Sequence, residues 1–172
     1  MVRSKKANIY LDTEFILHPG GVDLVALALV RDNGEAYYAI SAEFHPERAD
    51  DWVKSQVLTK LHPEEPRKPL AQIKTELVSF VGYQIPAFWA YFATYDWFLV
   101  LQLFGGMTHL PSNFPSYCGE LRQEADRLGL AETQYPPNPN PHHAQSDAQW
   151  NRHLHQLLLN LEKENSSADM PN

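Results

Sequence analysis

Ile9-Tyr10-Leu11-Asp12-Thr13-Glu14-Phe15 sets two carboxylates into an otherwise uncharged, mostly apolar run. Side chains alternate along a strand, so Asp12 and Glu14 share one face. A buried carboxylate is costly unless it is paired or binds metal. The run therefore reads as a strand over 8–15 with a chemical purpose, and the rest of the chain follows from it. Residues 23–31 are nearly all apolar and read as a second strand. Asn33-Gly34 is a hairpin signal, and 35–44, rich in Tyr, returns as a third strand. Helical pattern follows over 49–61, a loop over 62–69, and a helix over 70–83 with Ile73, Leu77, Phe80 and Val81 on one stripe. Residues 88–93 read as a buried strand and 95–104 as a helix stopped by Gly105-Gly106. An irregular stretch spans 107–116, and 119–128 reads as a helix ended by Gly129. The proline loop 134–141 leads into an amphipathic helix over 141–162. Three antiparallel strands followed by alternating helix and strand make an α/β domain.

Two more sets of residues join the pair in the first strand. Asp96 follows the apolar stretch 88–95. His142 and Asp147 stand five apart just after the prolines. Asp12, Glu14, Asp96 and Asp147 are together enough to hold two hard divalent ions. All-oxygen ligands select Mg²⁺ or Mn²⁺ over zinc. A histidine beside them can take a proton from the attacking water, and such a set cleaves phosphodiesters. Each residue also has a plainer reading. Asp96 would serve as a helix N-cap, and Asp147 would complement a helix dipole. In one helix, five residues would turn His142 about 140° away from Asp147. Asn140-Pro141 reads as N-cap and first helical residue. For both to reach one site, His142 must lie at a looped helix mouth.

Asp12-Thr13-Glu14 in an early strand, Asp96 within Tyr95-Asp96-Trp97-Phe98-Leu99, and His142-x-Ala144-x-x-Asp147 occur in an order that resembles the DEDDh 3′–5′ exonucleases. The likeness covers about residues 8–161. Within that superfamily the chain is similar to the RNase T-like exoribonuclease AS group of mycobacteria. The likeness is carried by Leu11-Asp12-Thr13-Glu14-Phe15-Ile16, Tyr37-Tyr38-Ala39-Ile40-Ser41-Ala42-Glu43-Phe44, Pro46-Glu47-Arg48-Ala49 and Glu120-Leu121-Arg122-Gln123. Asp-Thr-Glu alone arises by chance; the ordered set is specific. The resemblance implies a ribonuclease H-like fold, a mixed central sheet with helices on both faces. It implies a 3′–5′ exoribonuclease acting on single-stranded RNA 3′ ends, with two Mg²⁺ ions on the four carboxylates and Mn²⁺ as their substitute. It further implies a homodimer and a preference for adenylate tails. The five-residue spacing of the histidine class selects His142 as the base over His143, which stands four before Asp147. In similar exonucleases the position of Phe15 stacks on the terminal base; strict alternation would instead turn it to the core. The fold should also have a strand after the 119–128 helix, and 131–135 is its best slot.

At 172 residues the chain is long enough for one domain. It reads as a single domain over 1–165 with a tail, 166–172, that has no reason to order. An apolar fraction of 44% fits a globular enzyme. No run is long enough for a membrane span, and the basic start leads into a strand rather than a signal sequence. The single Cys118 excludes an internal disulfide and a cysteine zinc cage; the expected setting is cytoplasmic. A net charge of −7 argues against coating nucleic acid by charge alone, yet part of it is the carboxylate set that cations would neutralise. Phe88, Trp89, Tyr91, Phe92, Trp97 and Phe98 read as core, Arg122 and Arg127 as solvated, and His153 and His155 as solvent-facing. Trp52 is an exposed aromatic in a polar helix. Three rivals stand beside the exoribonuclease: a single-stranded DNA exonuclease, a recycler of very short RNAs, and a nucleic-acid-binding module without activity.

Overall fold

The computed structural model describes residues 6–168. Its centre is a six-stranded sheet in the order β4-β3-β2-β1-β5-β6. The strands β1 (Ala7–His18), β2 (Gly21–Arg31) and β3 (Ala36–Ser41) form the expected antiparallel meander. The turn between β2 and β3 uses Gly34 at φ 89°, a conformation glycine adopts without steric cost. On the other side of β1, β5 (Pro86–Ala90) runs parallel to it. Two strands of only two residues close the edges. β4 (Arg67–Lys68), inside the expected loop, pairs with the end of β3, and β6 (Gly119–Glu120) pairs with β5.

Helices cover both faces. Ile9, Leu11, Leu27 and Leu29 face α2 (Leu70–Val81) and α3 (Ala93–Phe104), meeting Leu77, Val81, Trp97 and Val100. Tyr10, Ile16, Ala28 and Val30 face the other way, against Val57, Ala144 and Ala148 after α1 (Asp51–Gln56) and on α5 (Ala144–Ala168). Asp12 and Glu14 have the parity of Tyr10 and Ile16, so the strand that builds the core also aims both carboxylates toward α5. Opposite them β2 carries one extra residue: Glu14 pairs with Ala26 but Phe15 with Leu24. The bulge turns both Val25 and Ala26 to the α5 face, and bulges re-aim side chains beside functional sites.

Three expectations are corrected. The strand expected at 131–135 is a single 3-10 turn, Glu132–Gln134; the additional strand is β6, before α4 (Leu121–Arg127) rather than after it. Its signal was weak because β6 has no apolar run. Gly119 is there because a Cβ would lie 2.4 Å from the Trp89 ring. The last helix starts at Ala144, not 141. It runs to Ala168 rather than 162; most of the tail expected over 166–172, residues 169–172, lies outside the described residues. His155 is not solvent-facing. It is buried, 3.1 Å from the Tyr10 hydroxyl and against the Trp89 ring, and burial lowers its pKa. Among the described residues no helix is long and apolar enough to cross a membrane.

Candidate active site

β5 pairs with β1 only as far as Tyr10. Beyond that point β5 turns away through Phe92 into α3, and one edge of β1 is left without a strand. Its backbone groups still need partners. The Thr13 N–H donates to Asp96 Oδ1 at 2.8 Å, and the Thr13 hydroxyl donates to the same oxygen at 2.6 Å. The Leu11 carbonyl accepts from Asn151 Nδ2 of α5 at 2.9 Å. The gap in the sheet is thus closed by side chains of α3 and α5, and the first carries a predicted carboxylate to Asp12 and Glu14. Asp96 sits in the first turn of α3, three residues after the helix begins, and Phe92 is the N-cap; the plain capping role does not apply.

Asp12, Glu14 and Asp147 each offer a carboxylate oxygen within 4.8 Å of the others. Asp96 stands outside that trio but lines the same cavity, of about 310 Å³, together with His142. The crowding shows in the protonation equilibria. Burial, then the charges of Asp96, Asp147 and Glu14, hold the Asp12 pKa well above the usual range. Burial and the charges of Asp147 and Asp96 push Glu14 to about 8, with Lys60 opposing. Burial lifts Asp96 to about 7 although the bonds from Thr13 pull it down. Asp147 is raised as well, by burial, against the hydrogen bonds it accepts. Carboxylates this close in a low-dielectric site hold protons or require cations. The donor set is all oxygen, as Mg²⁺ and Mn²⁺ prefer, so the residues present fit divalent ions. Asn151 Oδ1, buried against the same site, has no partner.

His142 lies in the loop before α5, not on the helix, as sharing a site with Asp147 demands. Its backbone is left-handed, φ 61°, and its N–H donates to Asp147 Oδ2 at 2.8 Å. The ring packs edge-on against Trp52 at 4.8 Å and faces the carboxylate cavity. The neighbouring His143 points elsewhere. Its ring stacks on Tyr38 at 5.1 Å, and its buried Nδ1 has no partner. Phe92 and His142 are the only non-glycine residues at positive φ among those described, and both line the site. Such conformations cost free energy and cluster at functional sites.

Aromatic rings form the walls. Phe15 is half-buried, packs on the core, and stacks on Tyr95 at 5.0 Å and 26°. Its packing is the core reading, and the same residue lines the cavity. Phe92 and Phe98, expected in the core, are exposed at 64% and 50%, while Phe88 and Trp97 are buried as expected. Phe92 lines both this cavity and a second, of about 480 Å³, lined also by Tyr135, Trp150, Asn138 and Asn151 and reaching Asp12 and Asp147. Arg122 and Arg127 are engaged in ion pairs, with Asp126 and Glu132 and with Glu124 and Glu162. Sequence reading missed Tyr95, Asn138 and Asn151 and left Trp52 without a place. Only Trp52 carried a signal, as an apolar ring in a polar helix.

No family model matches the chain. Two curated proteins of Mycobacterium tuberculosis, from strains CDC 1551 / Oshkosh and ATCC 25618 / H37Rv, are each named 3′–5′ exoribonuclease. Each is 37% identical over 139 residues, 78% of this chain and 82% of the relative. Among solved structures, E. coli exonuclease I in complex with a dT13 oligonucleotide superposes with a TM-score of 0.62 at 13% identity, over 95% of this chain and 43% of that one. The Neurospora crassa Pan2 catalytic unit gives 0.59 at 16% identity, over 98% of this chain and 29% of that one. The chain thus spans less than half of either structure, and at such identity the likeness is one of fold, the ribonuclease H-like fold. The mycobacterial likeness reaches further: this chain belongs to the family of those 3′–5′ exoribonucleases.

Proposed function

We propose that the protein is a DEDDh 3′–5′ exoribonuclease that trims single-stranded RNA from its 3′ end to nucleoside 5′-monophosphates. The observation that carries this reading is the convergence of Asp12, Glu14 and Asp147 within 4.8 Å, with Asp96 and His142 on the same cavity. The name of the mycobacterial relatives supports RNA as the substrate. Asp12, Glu14, Asp96 and Asp147 would hold two Mg²⁺ ions, with Mn²⁺ as a substitute. When bound, the ions supply Lewis-acid charge at the phosphate. The remaining roles belong to the chain. Thr13 fixes Asp96 through two hydrogen bonds. The His142 ring, held by Trp52, takes the proton of the attacking water. The Phe15–Tyr95 pair offers a face to the terminal base, and stacking tolerates any base. A preference for adenylate tails and a homodimer belong to the proposal through the likeness to the mycobacterial group. A reducing, cytoplasmic setting fits the single free Cys118.

A 5′-labelled RNA separates this reading from its rivals. With Mg²⁺ or Mn²⁺ we expect stepwise loss of mononucleotides from a free 3′ hydroxyl, faster on adenylate tails, and none in excess EDTA. A 3′-phosphate should slow the reaction, since it brings a dianion to the carboxylates. A DNA strand of the same sequence should be a poorer substrate, because only the 2′-hydroxyl differs. Asp12→Ala and Asp147→Ala should each abolish cleavage while leaving the fold intact. Full activity in EDTA, or internal cuts in a circular RNA, would overturn the reading.

A further inference from the structure

Residues 136–141 read Pro-Pro-Asn-Pro-Asn-Pro. Proline fixes φ and limits the residue before it, so the segment is a stiff arm rather than a pliable loop. Both ends are tied down. Trp150 Nε1 of α5 donates to the Pro136 carbonyl at 2.7 Å, and Lys60 Nζ donates to the Pro141 carbonyl. Asn138 stands between those anchors. Its Nδ2 donates to Asp147 Oδ1. Its Oδ1 accepts from the Ser146 hydroxyl at 3.0 Å and from the Asn140 N–H at 3.2 Å. The orientation of an amide is assigned from its network. Here the Asn140 N–H can only donate, so the oxygen must face it and the amino group must face Asp147. The end of the arm supplies the other orienting bond, from the His142 N–H to Asp147 Oδ2. Each oxygen of Asp147 thus accepts one hydrogen bond from the arm, and each keeps a lone pair for another partner.

On the reading of Asp147 as a metal ligand, we propose that Asn138 is a positioning residue that holds the Asp147 carboxylate in its metal-binding orientation and couples it to the arm that carries His142. A carboxylate on a helix turns freely about its side-chain bonds. Two donors from one stiff segment remove that freedom, so the cost of ordering the ligand is met before the cation arrives. Hydrogen-bond partners of metal ligands typically contribute about 10- to 100-fold to metal affinity or activity.

The test measures metal binding without RNA, by isothermal titration of Mn²⁺ into the full-length protein, beside thermal unfolding in EDTA and steady-state kinetics. Asn138→Ala should weaken Mn²⁺ binding by about tenfold or more. It should lower kcat with KM for RNA nearly unchanged, and leave the midpoint in EDTA close to the wild-type value. Asn138→Ala binding Mn²⁺ as tightly as wild type would overturn the inference. So would a loss of activity that merely tracks a fall in the EDTA midpoint, since that is a folding role. A wild-type protein that binds no Mn²⁺ would instead overturn the metal reading of the site, and this inference with it.

Discussion

Two adjacent histidines in one loop carry different environments. His142 lines the carboxylate cavity with its ring against Trp52, whereas the His143 ring lies on Tyr38 with its Nδ1 buried. Left-handed backbone at His142 turns successive side chains to opposite sides of the loop. Loss of a general base typically costs about 10² to 10⁴ in rate. We expect His142→Ala to fall in that range with Mn²⁺ binding retained. His143→Ala should keep most of the rate and lose stability instead, because it removes a half-buried ring stacked on Tyr38. Single-turnover rates and unfolding midpoints of the two variants, compared together, decide the assignment. A dead His143 variant beside a nearly normal His142 variant would reverse it.

At the scale of elements, the two-residue strand β6 organises two helix starts. Glu120 ends β6, and its carboxylate accepts from the N–H groups of Phe92 at 2.9 Å, Ala93 at 2.8 Å and Arg122 at 2.9 Å. Those donors open α3 and α4, so one anion serves the positive ends of both helices. It also fixes the left-handed turn at Phe92 and hence the position of Asp96 one turn later. Glu120→Ala should cost about 2 kcal/mol in urea unfolding, and it should lower activity even under conditions where the protein stays folded. Glu120→Gln keeps one acceptor oxygen and should fall between. An activity unchanged in folded Glu120→Ala would show that α3 is positioned by packing alone.

In the whole molecule the four carboxylates join three elements, β1, α3 and α5, and their charge opposes that assembly when no cation is present. Glu14 has its pKa raised to about 8 by burial, against about 4.3 in an unfolded chain. Below about pH 4 both states hold the proton and the fold loses nothing. As pH rises toward 8 the unfolded chain releases the proton first, so stability falls across that window. Asp12, Asp96 and Asp147 are shifted the same way. Glu76, lowered to about 2 by Lys68 and Gln72, acts only at more acid pH, and His155, lowered by burial, is one group opposing four within the window. The unfolding midpoint in EDTA should therefore drop between pH 5 and pH 8, and Mn²⁺ should raise it more at pH 8 than at pH 5. A midpoint in EDTA that rises steadily over this range would contradict the buried-carboxylate picture. The sequence by itself determined the meander and the parity that turns Asp12 and Glu14 to one face, because strand periodicity and the cost of burying charge are local and leave a local record; Asp96 and Asp147 joined them only through the order of motifs that carries the resemblance. It also required His142 to leave the helix, since five residues of helix geometry cannot share a face. What only the tertiary structure decided is where β5 stops pairing with β1, which freed Thr13 for Asp96 and Leu11 for Asn151. The same holds for β6, for the burial of His155, and for the bond from Asn138 to Asp147. These depend on which groups distant segments bring to an unpaired edge or a carboxylate oxygen, and hydrogen-bond partners so far apart in the chain leave no periodic trace in it.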